Sequence, residues 1–347
     1  MGEPRPLESP LGAPRVNLFQ SVKTRVQDAG YRILLPETHD NRVLAAAAQI
    51  QKEGFCRVVL LGRAERLAKG LREVGVEPDR CEFLDPADPE RLDAFAETYY
   101  RVRKHKGITP DEARRTVEDP VFHGALCLRD GLVDGMVAGS ASPTPHVVRA
   151  ALHCIGMRAG IKTLSSCFLT TFPRAEFGME GVLLFADCGV VPEPTADQLV
   201  DITRSAAASW RLFTGTEPVV ALLSFSTKGS ARQPGPKRMV EVAARLHELE
   251  PDLMVDGELQ ADAALVPDVA RRKCPDSPVG GQANVLIFPN LEAGNIAYKL
   301  AERLGGGQAV GPLLQGLAEP LNDLLRGCNV QSIVDAAAAT CAQAMPT

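Results

Sequence analysis

Aromatic residues are scarce in this chain, with 12 Phe, 4 Tyr and 1 Trp among 347 residues. That scarcity removes the stacking platforms on which single-stranded nucleic acid is held. Positive charge is not in excess either. The formal net charge is -5, which leaves no electrostatic footprint for nucleic acid. No apolar run approaches the roughly 20 residues a spanning helix needs, so no membrane passage is expected. No charged-then-apolar segment opens the chain, and Pro6 stands where a myristoylation signal wants Ser or Thr. The nine cysteines contain no C-x-x-C pair and the six histidines no H-x-x-x-H spacing, which argues against a metal site. Several cysteines lie in apolar runs, and together they read as reduced, buried thiols of a cytoplasmic protein.

What is present is a chain long enough for a large core and, by length, two domains. Pro4, Pro6, Pro10 and Pro14 crowd an opening with almost no apolar side chain, so residues 1–16 are expected to form a disordered arm. A helix is expected from an Asn17 cap to Gly30, with Leu18, Phe19, Val22 and Val26 on one face. Strands at Arg32–Leu35, Arg57–Leu61 and Cys81–Leu84 then alternate with helices, one starting at Asn41 and ending at Gly54, the next starting near Ala64. That alternation argues a parallel sheet covered on both faces. Further strands are expected at Val133–Gly139, Thr163–Thr171, Val182–Ala186, Val219–Phe225, Leu253–Asp256 and Ala283–Pro289, again with helices between them.

Several stretches carry chemistry, each with a bland reading beside the functional one. The run Arg101-Val102-Arg103-Lys104-His105-Lys106 is a basic helix end, which either complements the helix dipole or supplies a cation to a site. Arg149 sits among Val147, Val148, Ala150 and Leu152, as a lone polar edge of a core helix or as a ligand cation. Ser165 and Ser166 fit a strand with polar alternation. Asp187, after a buried strand, is either a functional group at a sheet end or the cap of a turn. Ser226-Thr227-Lys228-Gly229-Ser230 follows a strand and precedes a helix beginning past Pro236, a cradle suited to phosphate that lacks nucleotide P-loop spacing. Asp256 and Glu258 either pair with cations or cap the next helix.

The most organised stretch is Gly311–Val330, G-P-L-L-Q-G-L-A-E-P-L-N-D-L-L-R-G-C-N-V. Asn322 and Asp323 are read as holding a loop through local hydrogen bonds. Arg326 and Gly327 then stand just before a helix capped by Asn329, and a cation, a glycine and a helix N-terminus together make an anion site. The alternative is a helix-entry loop whose arginine pairs with a surface carboxylate.

This stretch closely resembles the C-terminal signature of the phosphate acetyltransferases (phosphotransacetylases), G-P-x-L-Q-G-L-x-x-P-x-N-D-L-S-R-G-C. The resemblance runs from about Leu18 onward. It includes P-E-x-x-D-x-R-V-L-A-A near Pro36, R-K-H-K-G at Arg103, the serine pair at Ser165 and Ser166, S-x-S-T-K-G-S at Ser224–Ser230, and D-G-E-L-Q-x-D-A-A at Asp256. It implies two three-layer α/β domains with an interdomain cleft, similar to isopropylmalate dehydrogenases. Residues 17–160 plus 310–347 would form the first and 161–309 the second. The activity implied is acetyl-CoA plus phosphate giving acetyl phosphate plus CoA, by direct attack of the thiol in a ternary complex, with CoA as a substrate and no cofactor or metal. By the same resemblance Arg326 is catalytic. Arg103, Arg149, Ser165, Ser166, Ser226, Thr227, Lys228, Gly229, Asn322, Asp323, Gly327 and Cys328 bind substrate, and the protein is a cytoplasmic homodimer.

Two residues depart from the family pattern. Leu325 replaces the serine before the arginine, and Ser332 replaces the aspartate six residues after it, which is the family's proposed base. Loss of one oxyanion donor typically costs about 10²–10³ in rate, and loss of a general base roughly 10²–10⁴. Three readings follow: an active phosphate acyltransferase, a paralogue that binds CoA or acyl phosphate but turns over slowly, and a related enzyme such as a phosphate butyryltransferase. A decarboxylating dehydrogenase is disfavoured, because metal-binding aspartate clusters are not evident.

Overall fold

The computed structural model describes residues 18–346 except 77, 79 and 80. The proposed N-terminal arm and the Asn17 cap lie outside the described residues. Among the described residues the chain divides into two compact units, one spanning residues 19–164 with 311–346 and the other residues 165–310. Among the described residues no helix is long and apolar enough to cross a membrane.

The first unit opens with α1 (Leu18–Val26), which stops four residues short of the glycine expected to end it. There follow β1 (Arg32–Leu35), α2 (Asn41–Glu53), β2 (Arg57–Leu61), α3 (Ala64–Glu73), β3 (Glu82–Leu84), α4 (Pro89–Arg103), α5 (Pro110–Val117), α6 (Pro120–Arg129), β4 (Gly135–Ala138) and α7 (Thr144–Ala150). A turn of π-helix over Ala151–Ile155 extends α7. The local chemistry explains the boundaries. Asp40 caps α2 by accepting from the Arg42 amide, and Gly54 ends it in the left-handed region. Thr109 and Glu112 form a reciprocal capping box on α5 with Pro110 in its first turn. Asp119 caps α6 by accepting from the Val121 and Phe122 amides, with Pro120 in its first turn, and the sequence reading missed this helix. Its residues 121–128 are all buried, so it carries no amphipathic period to read.

The second unit contains β5 (Ser165–Thr171), β6 (Val182–Ala186), α8 (Ala196–Thr214), β7 (Val219–Leu223), α9 (Pro234–Leu249), β8 (Met254–Leu259), α10 (Ala261–Leu265), α11 (Pro267–Lys273), β9 (Val285–Ile287) and α12 (Leu291–Gly305). The chain leaves this unit within β10 (Gln308–Gln315) and completes the first with β11 (Leu321–Asp323) and α13 (Val330–Gln343).

The first unit's sheet has the order β11-β4-β1-β2-β3, and every neighbouring pair is parallel. The second sheet runs β10-β5-β6-β9-β7-β8 and is mixed, because β5 is antiparallel to β6 while β6, β9, β7 and β8 are parallel. All seven residues of β5 are buried. The polar alternation expected of Ser165 and Ser166 is therefore absent, since both faces of this strand are covered. Phe168, Phe185, Phe288 and Tyr298 anchor that core, with Phe168 stacked on Tyr298 at 4.1 Å.

The loop expected around Asn322 and Asp323 is corrected. Both lie in strand β11, with 0% and 1% exposure. Asn322 accepts from the Leu314 amide at 2.8 Å and donates to Thr340 and Gln343. A three-residue strand is too short to show a period, so only its pairing with β4 reveals it.

Candidate active site

In a parallel sheet every strand ends on the same edge, and that carboxyl edge is where α/β proteins place ligands. In the first unit β1, β4 and β11 run into three loops there, and three side chains knit those loops together. The first is Glu37, two residues past β1 and 2% exposed. Its Oε2 accepts from the Gly139 and Ser140 amides, both at 2.7 Å, and from the Ser140 hydroxyl at 3.0 Å. Its Oε1 accepts from the Ala141 and Ser142 amides at 3.3 and 2.7 Å. A single carboxylate thus satisfies the donors of the whole loop after β4, which water or an anion would otherwise have to meet.

The second is Arg42. It pairs with Asp40 at 2.7 Å and donates to the Ser140 carbonyl at 2.7 Å, the Arg326 carbonyl at 3.0 Å and the Cys328 carbonyl at 2.8 Å. Only a planar fork reaches so many acceptors at once. The Arg42 side chain holds the Asp40 carboxyl below its usual value. The motif near Pro36 is thus more than a capped helix start, because it fastens the Ser140 loop to the Arg326 loop. Sequence reasoning passed over Glu37 and Arg42 as site residues, since the amides that donate to Glu37 and the carbonyls that accept from Arg42 are backbone groups about 100 and 290 residues away.

The third is Asp323, at the end of β11. Its Oδ2 accepts from the Thr144 hydroxyl at 2.5 Å, while Oδ1 has no hydrogen-bond partner among the described residues. Burial pushes its pKa up to about 7, against the pull of Thr144 and the Leu324 amide. Gly139 is required beside it, because a Cβ there would lie 2.3 Å from Asp323 Oδ1.

On this scaffold stand the three arginines. Arg326 is exposed, and its guanidinium makes no ion pair or hydrogen bond among the described residues, although its carbonyl is clamped by Arg42. Asn329 caps α13 through the Ser332 amide at 2.8 Å, and the Ser332 hydroxyl donates to the same Asn329 oxygen at 3.0 Å. Leu325 is 43% exposed, so no packing requirement explains an apolar residue there. Gly327 is exposed, and Cys328 is buried, with its thiol pushed up by that burial.

Arg149 is exposed, on the outer face of α7 and not inside the core, and its Nη2 donates to His146 Nδ1 at 3.1 Å. Arg103, half-buried at the end of α4, has no ion pair among the described residues. Arg103 and Arg149 share one neighbourhood: both act on His153, whose pKa falls to about 4 through burial first and then through these two cations. His153 Nδ1 lies 2.9 Å from the Tyr99 hydroxyl. The first unit therefore brings Arg103 and Arg149 together around Tyr99 and His153. It ties α7, which carries Arg149, to the strand and loop that lead to Arg326 through Thr144, Asp323 and Arg42.

The remaining candidates gather at the corresponding edge of the second sheet. Ser165 and Ser166 open β5, Asp187 follows β6, and Ser226–Gly229 follow β7. Asp187 is a turn cap. It accepts from the Gly189, Val190 and Val191 amides and from the Ser166 hydroxyl at 2.5 Å. The Ser226–Ser230 loop is folded around a carboxylate of the same unit. Glu258 Oε1 accepts from Ser226 Oγ at 2.7 Å and from the Gly229 amide at 2.9 Å, while its buried Oε2 has no partner among the described residues. Lys228 pairs with Asp256, and Thr227 Oγ1 accepts from the Gln260 amide at 3.0 Å. Asp256 and Glu258 thus engage donors of their own unit, and neither caps a helix among the described residues. The donors expected to cradle phosphate are engaged by them instead.

A hollow of about 1390 Å³ lined by Gln49, Lys52, Cys56, Arg57 and Glu82 lies at the opposite, amino-terminal edge of the first sheet and contains none of these residues. Of the nine cysteines, Cys56 and Cys81 are half-exposed and the rest are buried.

Known proteins resemble this chain along most of its length. Residues 17–341 match the family model described as phosphate acetyl/butaryl transferase. The chain is 42% identical over 329 residues to a phosphate acetyltransferase of Acetivibrio thermocellus, covering 95% of this chain and 98% of that one. It is 44% identical over 333 residues to a phosphate acetyltransferase of Treponema pallidum, covering 94% and 99%. Among solved structures it resembles a phosphotransacetylase from Streptococcus pyogenes with a TM-score of 0.89 and 38% identity, over 94% of this chain and 98% of that one.

Proposed function

The chain belongs to the phosphate acetyl/butaryl transferase family, and from that premise we propose that it is a phosphate acetyltransferase, interconverting acetyl-CoA and phosphate with acetyl phosphate and CoA. The observation that carries this reading is the signature loop. Its backbone is clamped by Arg42, while the guanidinium of Arg326 is left without a protein partner among the described residues. A fixed backbone with an uncommitted cation is what recognition of a phosphorylated substrate requires.

In this reading Arg103 and Arg149 hold phosphate groups of the substrates, and the guanidinium fork matches their oxygens. The CoA sulfur attacks the acetyl carbonyl of acetyl phosphate. The C–S bond forms, the C–O bond to phosphate breaks, phosphate departs with the electron pair, and the proton lost from the thiol ends on the departing phosphate. The carbonyl oxygen gathers negative charge on the way, and Arg326 is the donor aimed at it. Alignment of two bound substrates supplies much of the remaining acceleration. CoA is a substrate and no further cofactor takes part. The protein works in the cytoplasm as a homodimer.

Leu325 gives no hydrogen bond, and the Ser332 hydroxyl is spent on Asn329, so neither departure is made good locally. A binder without turnover is nevertheless not favoured, given relatives of this activity over nearly the whole chain. The test is to mix purified protein with acetyl phosphate and CoA and follow thioester absorbance. Turnover is expected, and Arg326→Ala is expected to lower it about 10²–10³-fold without loss of folded protein. CoA binding with no thioester formed would overturn the proposal, and preference for butyryl phosphate would move the protein to the butyryl branch of its family.

A further inference from the structure

His146 was not among the residues singled out by sequence, yet it touches the one arginine of the three that has a side-chain partner. It lies in the first turn of α7, one helical turn before Arg149. Its Nε2 is 3.0 Å from Asp119 Oδ1, and its Nδ1 is 3.1 Å from Arg149 Nη2. The ring packs edge-on against Phe122, with centroids 5.4 Å apart.

These contacts decide which nitrogen carries the proton. A guanidinium has donors only, so the nitrogen facing it must present a lone pair. A carboxylate has acceptors only, so the nitrogen facing it must carry hydrogen. Both demands are met by one species, neutral imidazole with the proton on Nε2. Asp119 is not free to drift, because the same Oδ1 caps α6 by accepting from the Val121 and Phe122 amides at 3.0 and 3.2 Å. The ring is therefore set by a buried helix and aims its lone pair at Arg149. The bond uses one hydrogen of Nη2, which leaves the rest of the fork for an anion.

We propose that His146 is a positioning residue for the reaction: oriented by Asp119, it holds the Arg149 guanidinium in the pose that receives a substrate phosphate group. This rests on the substrate-binding role given to Arg149 above. Pre-set placement lowers the ordering cost of a long, exposed side chain, so its loss falls on binding and leaves the chemical step intact.

Two near-isosteric replacements separate the halves of the ring. In His146→Asn the amide oxygen stands where Nδ1 was, which keeps the acceptor for Arg149 and loses Asp119. In His146→Gln the amide nitrogen stands where Nε2 was, which keeps the donor to Asp119 and loses the acceptor. The proposal expects His146→Gln to raise the KM for CoA or acetyl phosphate about three- to tenfold with kcat within twofold. His146→Asn, which keeps the acceptor and loses only the Asp119 contact that orients it, should raise the same KM by less than His146→Gln does. The reverse order, with Asn impaired and Gln normal, would mean that the histidine only braces α7 on α6, and would overturn the proposal. Nitrogen-detected NMR of the imidazole supplies a readout independent of turnover: protonated Nε2 and bare Nδ1 are expected, and the opposite tautomer would refute the hydrogen-bond assignment. Arg149→Ala distinguishes the two levels. If it leaves every KM unchanged, the role given to Arg149 fails. If it raises a KM that His146→Gln leaves alone, only the inference about His146 fails.

Discussion

Asp323→Asn tests the electrostatics of the carboxyl edge. Burial moves the carboxyl from 3.8 to about 7 in the folded chain. Between those values the folded state holds a proton that the unfolded state has released. The folded state then binds more protons, so stability falls as pH rises through the window. The penalty is absent below about pH 4 and complete above about pH 7. At 1.36 kcal/mol per unit, a shift of this size is worth about 4 kcal/mol. Asparagine keeps the shape and can donate to the Thr144 hydroxyl while carrying no charge, so the variant has no such penalty. Urea unfolding followed by circular dichroism, at half-unit steps from pH 4 to 8, gives the stability of both proteins. Their difference removes every other titrating group. It should be flat near pH 4, rise in favour of the variant between about pH 4 and 7, and level off at about 4 kcal/mol. A difference independent of pH would show that Asp323 ionises as it does in water, and a slope of opposite sign would show a lowered pKa. Either outcome would refute the claim that this carboxyl is held protonated by its surroundings.

Arg42→Ala removes the clamp on the carbonyls of Ser140, Arg326 and Cys328. It is expected to cost about 1–3 kcal/mol of stability and to reduce kcat together with affinity, because the Arg326 loop loses its anchor. Arg42→Lys should rescue little, since one ammonium cannot span those acceptors; full recovery in unfolding and activity assays would count against the clamp. Leu325→Ser combined with Ser332→Asp restores the two groups by which this chain departs from its family. Steady-state turnover should rise by at least about tenfold, and no change would mean that the reaction here does not use those positions.

The sequence carried a good deal of this structure. The start at Asn41 and the stop at Gly54 fixed α2, and unbroken apolar runs fixed β1, β2 and β6, because those signals are local and act within one turn or one strand. The motif order was enough to name the family and the three arginines. Other features had no local signal. The uniformly buried α6 has no amphipathic period, and β11 is defined by its neighbour and not by its three residues. The partners of Glu37, Arg42, Asp323 and Glu258 are likewise set by which loops the parallel strands deliver to one edge. A carboxylate in the sequence is only an acceptor. Whether it caps a turn as Asp187 does, fills a ring of amides as Glu37 does, or stays half-satisfied and holds its proton as Asp323 does depends on the donors that folding brings within 3 Å and on the water it excludes.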